Sequence, residues 1–131
     1  MTLLDTTFLI DLQRNIRNPS RTGAESWLEN HPNEELGIPV IVLGEFSEGF
    51  EDPDHPVLMR YRSGYSIIGI DAVVAKTYGR LSRSLRTSGI MIGSNDTWIA
   101  ATALSRPCPL LTRNMDHFLR IPDLDVLTYR I

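Results

Sequence analysis

MTLLDTTFLIDL, residues 1–12, puts a carboxylate at the seam between two apolar segments. Thr2, Leu3 and Leu4 read as a short buried strand. Phe8, Leu9, Ile10 and Leu12 then carry the apolar pattern into a helix expected over residues 6–15. A strand that runs directly into a helix is the repeating unit of an α/β fold, and Asp5 stands at the junction. One reading of Asp5 is helix capping, because an acid before a helix accepts orphan backbone N–H bonds. The other is functional, because ligands gather at the carboxyl ends of strands in an open α/β sheet. Taken alone, Asp5 favours the cap; the rest of the chain has to decide.

Working outward, strand and helix keep alternating. The first helix is expected to stop before Asn18-Pro19, and a second follows around 22–30 with Ala24, Trp27 and Leu28 at helical spacing. Leu36–Pro39 reads as a strand, and Pro39 opens a helix through Phe50. The polar stretch 51–56, with two prolines, is a loop. A helical piece around 57–63 leads to a strand over 66–70. Asp71 is the expected N-cap of a long helix to about Arg86, which Gly89 closes. Ser94 opens the helix SNDTWIAATALS, then come a strand over 109–112, a short helix over 114–119 and a strand over 125–129. This alternation implies one domain over residues 1–131, with a mostly parallel sheet and helices on both faces.

Composition narrows the function classes. A chain of 131 residues buries about two-thirds of its unfolded surface, and 42% hydrophobic residues exclude disordered and fibrous classes. Apolar runs are too short to span a membrane, and no basic, apolar and cleavage-site sequence opens the chain as a secretory signal. A single cysteine, Cys108, excludes an internal disulfide and a cysteine-rich zinc site. A cytoplasmic location is the expectation. The net charge of −3 argues against coating nucleic acid by bulk positive charge, although a metal-holding acid cluster lowers that total by itself. Arginine outnumbers lysine heavily, a bias that suits phosphate and that a GC-rich genome explains equally well.

The acids are the informative residues. Asp96, Ile99, Ala100, Ala103 and Leu104 fall on one helical stripe, so Asp96 heads a face turned toward the protein body. A first-turn acid suits the helix dipole, but that does not account for its being on the inner face. Glu45 lies at the edge of the apolar arc of Val42, Leu43, Phe46 and Phe50, and Glu48 lies nearer its back. In LLTRNMDHF, Thr112 ends a strand, Asn114 is the expected N-cap and Asp116 falls in the first turn. These residues share a strand end with Asp5. Acids gathered from separate elements have one shared use, because hard divalent cations take oxygen ligands. Without a cation, the carboxylates would repel one another and raise one another's pKa.

With those residues in view, the chain resembles PIN-domain ribonucleases of the VapC type, the toxins of bacterial toxin–antitoxin pairs. LLDTTFLIDL resembles the family's opening strand and acid, and PVIVLGEFSEG its second-acid helix. NDTWIAATAL resembles the third-acid helix, and LLTRNMDHFLRIPDL the closing T-x-N segment. The resemblance implies a three-layer α/β/α sandwich and an endoribonuclease that uses Mg²⁺, or Mn²⁺ in its place, on structured RNA such as tRNA or rRNA. It carries metal and catalytic roles to Asp5, Glu45 and Asp96, and a fourth acidic place to Asp116, Asn114 or a water. Many relatives have an acid directly before the Phe, where this chain has His117, which reads as a helix-end surface histidine. Thr6, Thr112, Arg113 and Asn114 are the substrate-positioning candidates, with Arg113 on the phosphate path. The partners implied are a VapB-like antitoxin and a second copy in a homodimer, with Trp27 a candidate for the antitoxin groove.

Competing readings fail on residues. A haloacid-dehalogenase phosphatase needs a second Asp where this chain has Thr7, and a receiver domain needs a paired acid and a late Lys. The only lysine, Lys76, is mid-helix. A catalytically silent PIN-like binding module remains as the alternative from another class.

Overall fold

The computed structural model describes residues 1–18 and 23–129. Five strands, β1 (Thr2–Leu4), β2 (Leu36–Pro39), β3 (Ser66–Ile68), β4 (Leu110–Leu111) and β5 (Val126–Leu127), form one sheet in the order β3-β2-β1-β4-β5. Every pairing is parallel. Seven helices fill the connections: α1 (Thr6–Arg17), α2 (Ala24–Asn30), α3 (Val40–Glu48), α4 (Pro56–Gly64), α5 (Ala72–Thr87), α6 (Ser94–Ser105) and α7 (Met115–Phe118).

β1 is the central strand, and all three of its residues are buried. Successive strand side chains point to opposite faces, so both faces of the sheet are covered, as in the expected α/β/α sandwich. Leu3, Leu4, Ile38, Leu110 and Leu111 form the middle of the core, with Phe8, Ile99 and Phe118 packed in from the helices. The approach of β2 to β1 requires Gly37. A β-carbon there would stand 2.8 Å from the sulfur of Met1 and 2.9 Å from Leu3 Cδ2.

Most expected elements appear, with shifted ends. α1 runs two residues beyond the expected 15, and α6 occupies the predicted stretch from Ser94 to Ser105. Asp71 caps α5 as expected, its Oδ1 accepting the Val74 N–H at 2.9 Å. Strands β3, β4 and β5 are shorter than expected. The pairing of β4 still runs on by one residue, because the Thr112 N–H reaches the Leu127 carbonyl at 3.0 Å. Pro19 and Thr22, expected at the end of one helix and the start of the next, lie outside the described residues. α2 is instead tied to α1 by the buried Asn15, whose Oδ1 accepts the Glu25 N–H at 3.1 Å.

Candidate active site at the strand carboxyl ends

Asp5 occupies the N-cap position of α1 with extended backbone, yet its side chain makes no capping hydrogen bond. It is 3% exposed, and its Oδ2 instead accepts the Thr112 hydroxyl at 2.6 Å and the Thr7 hydroxyl at 3.1 Å. Asp5 thus stands at a cap position with its carboxylate directed elsewhere. Burial pushes the Asp5 carboxyl above its ordinary range. The Thr112 hydroxyl and the Thr6 backbone amide work against that rise, whereas the nearby Asp96 charge adds to it. Asp5, just after β1, and Asp96 of α6 therefore feel each other across the strand ends.

Glu45 comes to the same place by a different route. Its Oε1 accepts the Thr6 hydroxyl at 2.7 Å and its Oε2 accepts the Asn95 amide at 3.3 Å. Thr6 follows Asp5, and Asn95 precedes Asp96, so these two bonds tie Glu45 to the sequence neighbours of both acids. The α6 entry that makes this possible turns on Gly93, whose φ of +85° suits glycine best. Thr6, expected to face substrate or water, spends its hydroxyl on Glu45.

From sequence, the fourth place is open between Asp116, Asn114 and a water. Asp116 is exposed on α7, and no hydrogen bond or ion pair ties it to the other acids. His117 is the residue that reaches the site, with Nδ1 2.9 Å from Asp96 Oδ2. His117 is the expected helix-end histidine with its side chain partly open to solvent, and this contact adds a partner to that reading. Asn114 holds the expected N-cap position of α7, although its side chain makes no capping bond. Its backbone N–H donates to Thr112 Oγ1 at 2.9 Å.

Arg113, expected on the phosphate path, makes an ion pair within the protein. Its Nη1 donates to Asp11 Oδ1 at 2.9 Å, and the Asp11 side chain is fully buried. Tyr129 donates its hydroxyl to Asp11 Oδ2, and Arg14 stands 3.7 Å from Oδ1. Burial, with the Asp11 charge beside it, drives the Tyr129 hydroxyl far above its usual range. Sequence reasoning missed Asp11, Thr7 and Asn95. Asp11 was discoverable, because it shares the buried side of α1 with Phe8 and Asn15, and a charge there calls for a partner.

The PIN domain family model matches residues 2–124. The chain belongs to the PIN domain family. This PIN domain is 29% identical to Ribonuclease VapC4 of Mycobacterium tuberculosis, over 96% of this chain and 95% of the relative. It is 32% identical to Ribonuclease VapC19 of the same species, over 95% and 97%. Among solved structures it resembles VapBC2 from Rickettsia felis bound to a DNA fragment from its promoter. The TM-score there is 0.82 at 28% identity, over 98% of each chain. A toxin–antitoxin complex from Klebsiella pneumoniae gives a TM-score of 0.74 at 30% identity, over the full length of both chains. The expected α/β/α architecture and the VapC resemblance are both borne out. No helix among the described residues is long and apolar enough to cross a membrane.

Asp5 gives this PIN domain a pH-dependent stability of known sign. Because its folded-state pKa is raised, its contribution is complete below the ordinary carboxylate range and is lost as pH climbs through the raised value. The metal-free Asp5→Asn variant should therefore melt above the wild type at neutral pH, with the gap closing in acid. Calorimetric melts across that window check the sign; a lower midpoint for the variant at neutral pH contradicts it.

Proposed function

We propose that this PIN domain is a divalent-metal-dependent endoribonuclease toxin of the VapC type. On this reading it cuts structured RNA, tRNA or rRNA, and so inhibits translation, and a cognate VapB-like antitoxin neutralises it. The carrying observation is the buried Asp5 carboxylate, held by two threonine hydroxyls and facing Asp96 instead of capping its helix. Relatives named as VapC ribonucleases, and structural neighbours solved as VapBC complexes, support the activity and the antitoxin partner. A homodimer and a cytoplasmic site of action belong to the same reading.

The donor set suits Mg²⁺ or Mn²⁺. Asp5, Glu45 and Asp96 offer only oxygen, the preference of hard cations. Among the described residues, no three His, Cys, Asp or Glu side chains stand close enough to enclose an ion by themselves. On this reading the cation would keep several waters and be held by one or two of these carboxylates plus substrate phosphate. When bound, such a metal activates water and stabilises the leaving oxygen in phosphodiester cleavage.

The chain's own residues supply position and charge. Thr112 and Thr7 fix the Asp5 carboxylate, and Thr6 and Asn95 fix that of Glu45. His117 orients Asp96 from α7. Arg80, Arg83 and Arg86, at helical spacing on α5, are all exposed and offer charge to RNA away from the acids. Sequencing RNA 5′ ends after induced expression tests the reading. Discrete new ends in one structured RNA, absent for Asp5→Asn, are expected. An identical end profile for the two proteins supports the silent binding module instead.

A further inference from the structure

We propose that Tyr129, Asp11 and Arg113 form a clamp that sets the Asp5 carboxylate, which makes Tyr129 a positioning residue of the site. The inference rests on the functional reading of Asp5 given above. Its physical basis is a short chain of bonds. Asp11 is completely buried, with one oxygen on the Arg113 guanidinium and the other on the Tyr129 hydroxyl. Arg113 is thereby pinned between α1 and the chain's last described residue. The loop that it pins carries the two amides that matter: Arg113 N–H donates to Thr7 Oγ1 at 3.0 Å, and Asn114 N–H donates to Thr112 Oγ1 at 2.9 Å. Each threonine oxygen accepts an amide and gives its own proton to Asp5 Oδ2.

A buried ion pair adds little net stability over packed apolar side chains, whereas it does fix direction. Here the direction fixed is that of the loop whose amides anchor both Asp5 donors. The Tyr129 ring is held independently of its hydroxyl, edge-on to Phe8 with centroids 5.0 Å apart. Removing the hydroxyl alone therefore leaves the packing in place.

Tyr129→Phe is the direct test, read by three measurements. In the metal-free protein, amide exchange at Arg113 and Asn114 should quicken while β1 stays protected. Calorimetric titration with Mn²⁺ should show affinity weakened by roughly tenfold or more, the usual effect of losing an outer partner of a metal ligand. Cleavage of an RNA that the wild type cuts should lose kcat with KM unchanged. Leu81→Val, a core change on α5, which contributes no acid to the site, should lower the thermal midpoint without moving the Mn²⁺ affinity. Wild-type exchange at both amides in Tyr129→Phe overturns the clamp, as does faster exchange with wild-type Mn²⁺ affinity. An equal affinity loss in Leu81→Val overturns it too, by exposing a general stability effect. If the wild type itself binds no Mn²⁺, the proposed function fails, and amide exchange alone then decides the clamp.

Discussion

Asp96→Asn should lower RNA cleavage by more than the ~10–100-fold that follows loss of a supporting partner around a metal. The substitution preserves size and leaves an oxygen for the His117 contact at 2.9 Å, so the geometry of α7 is retained. What disappears is one negative charge facing the buried Asp5, whose carboxyl that charge helps to raise. Relief of that repulsion opposes the loss of a first-turn acid, worth about 0.3–1 kcal/mol to the helix dipole. The thermal midpoint should therefore stay near the wild-type value or rise. Kinetics and melts on one preparation separate the alternatives. Retained cleavage removes Asp96 from the metal site, and a large stability loss makes it a structural helix-start residue.

Arg113→Ala should have the largest effect on folding. It strips the guanidinium from Asp11, a fully buried carboxylate, and breaking a buried pair from one side costs about 3–5 kcal/mol. The low end of that range applies, because Tyr129 and Arg14 stay near the acid and Arg113 is itself 30% exposed. Chemical denaturation should show the loss, and Asp11→Asn combined with Arg113→Ala should recover part of it by removing the stranded charge. An RNA-facing arginine predicts a different pattern, with stability unchanged and the salt slope of RNA binding lower by about one.

What the sequence revealed follows the range of the forces involved. α6 and the Asp71 cap were legible because a helical stripe and a cap bond both lie within a few residues of chain. Asp5, Glu45 and Asp96 were legible as acids on elements that an α/β topology brings to one edge. Their mutual support was not, because Thr112 lies 107 residues from Asp5 and Asn95 lies 50 from Glu45. The ion pair of Arg113 was hidden for the same reason. Its partner Asp11, 102 residues away, has no local feature that names it as an anion for that cation. His117 and Asp116 differ by one helical position, and only the packing of Phe118 into the core selects which of them turns to Asp96.

The central claim is that Asp5 serves a cation and not a helix end. A thermal-shift titration of wild type and Asp5→Asn with Mn²⁺ tests it most directly. The account predicts that metal stabilises the wild type by about 2.7 kcal/mol at a hundredfold excess over its dissociation constant. It also predicts that Asp5→Asn folds without metal and loses most of that gain. An equal metal-induced shift in both proteins, or a metal-independent stability loss in the variant with cleavage intact, would contradict it.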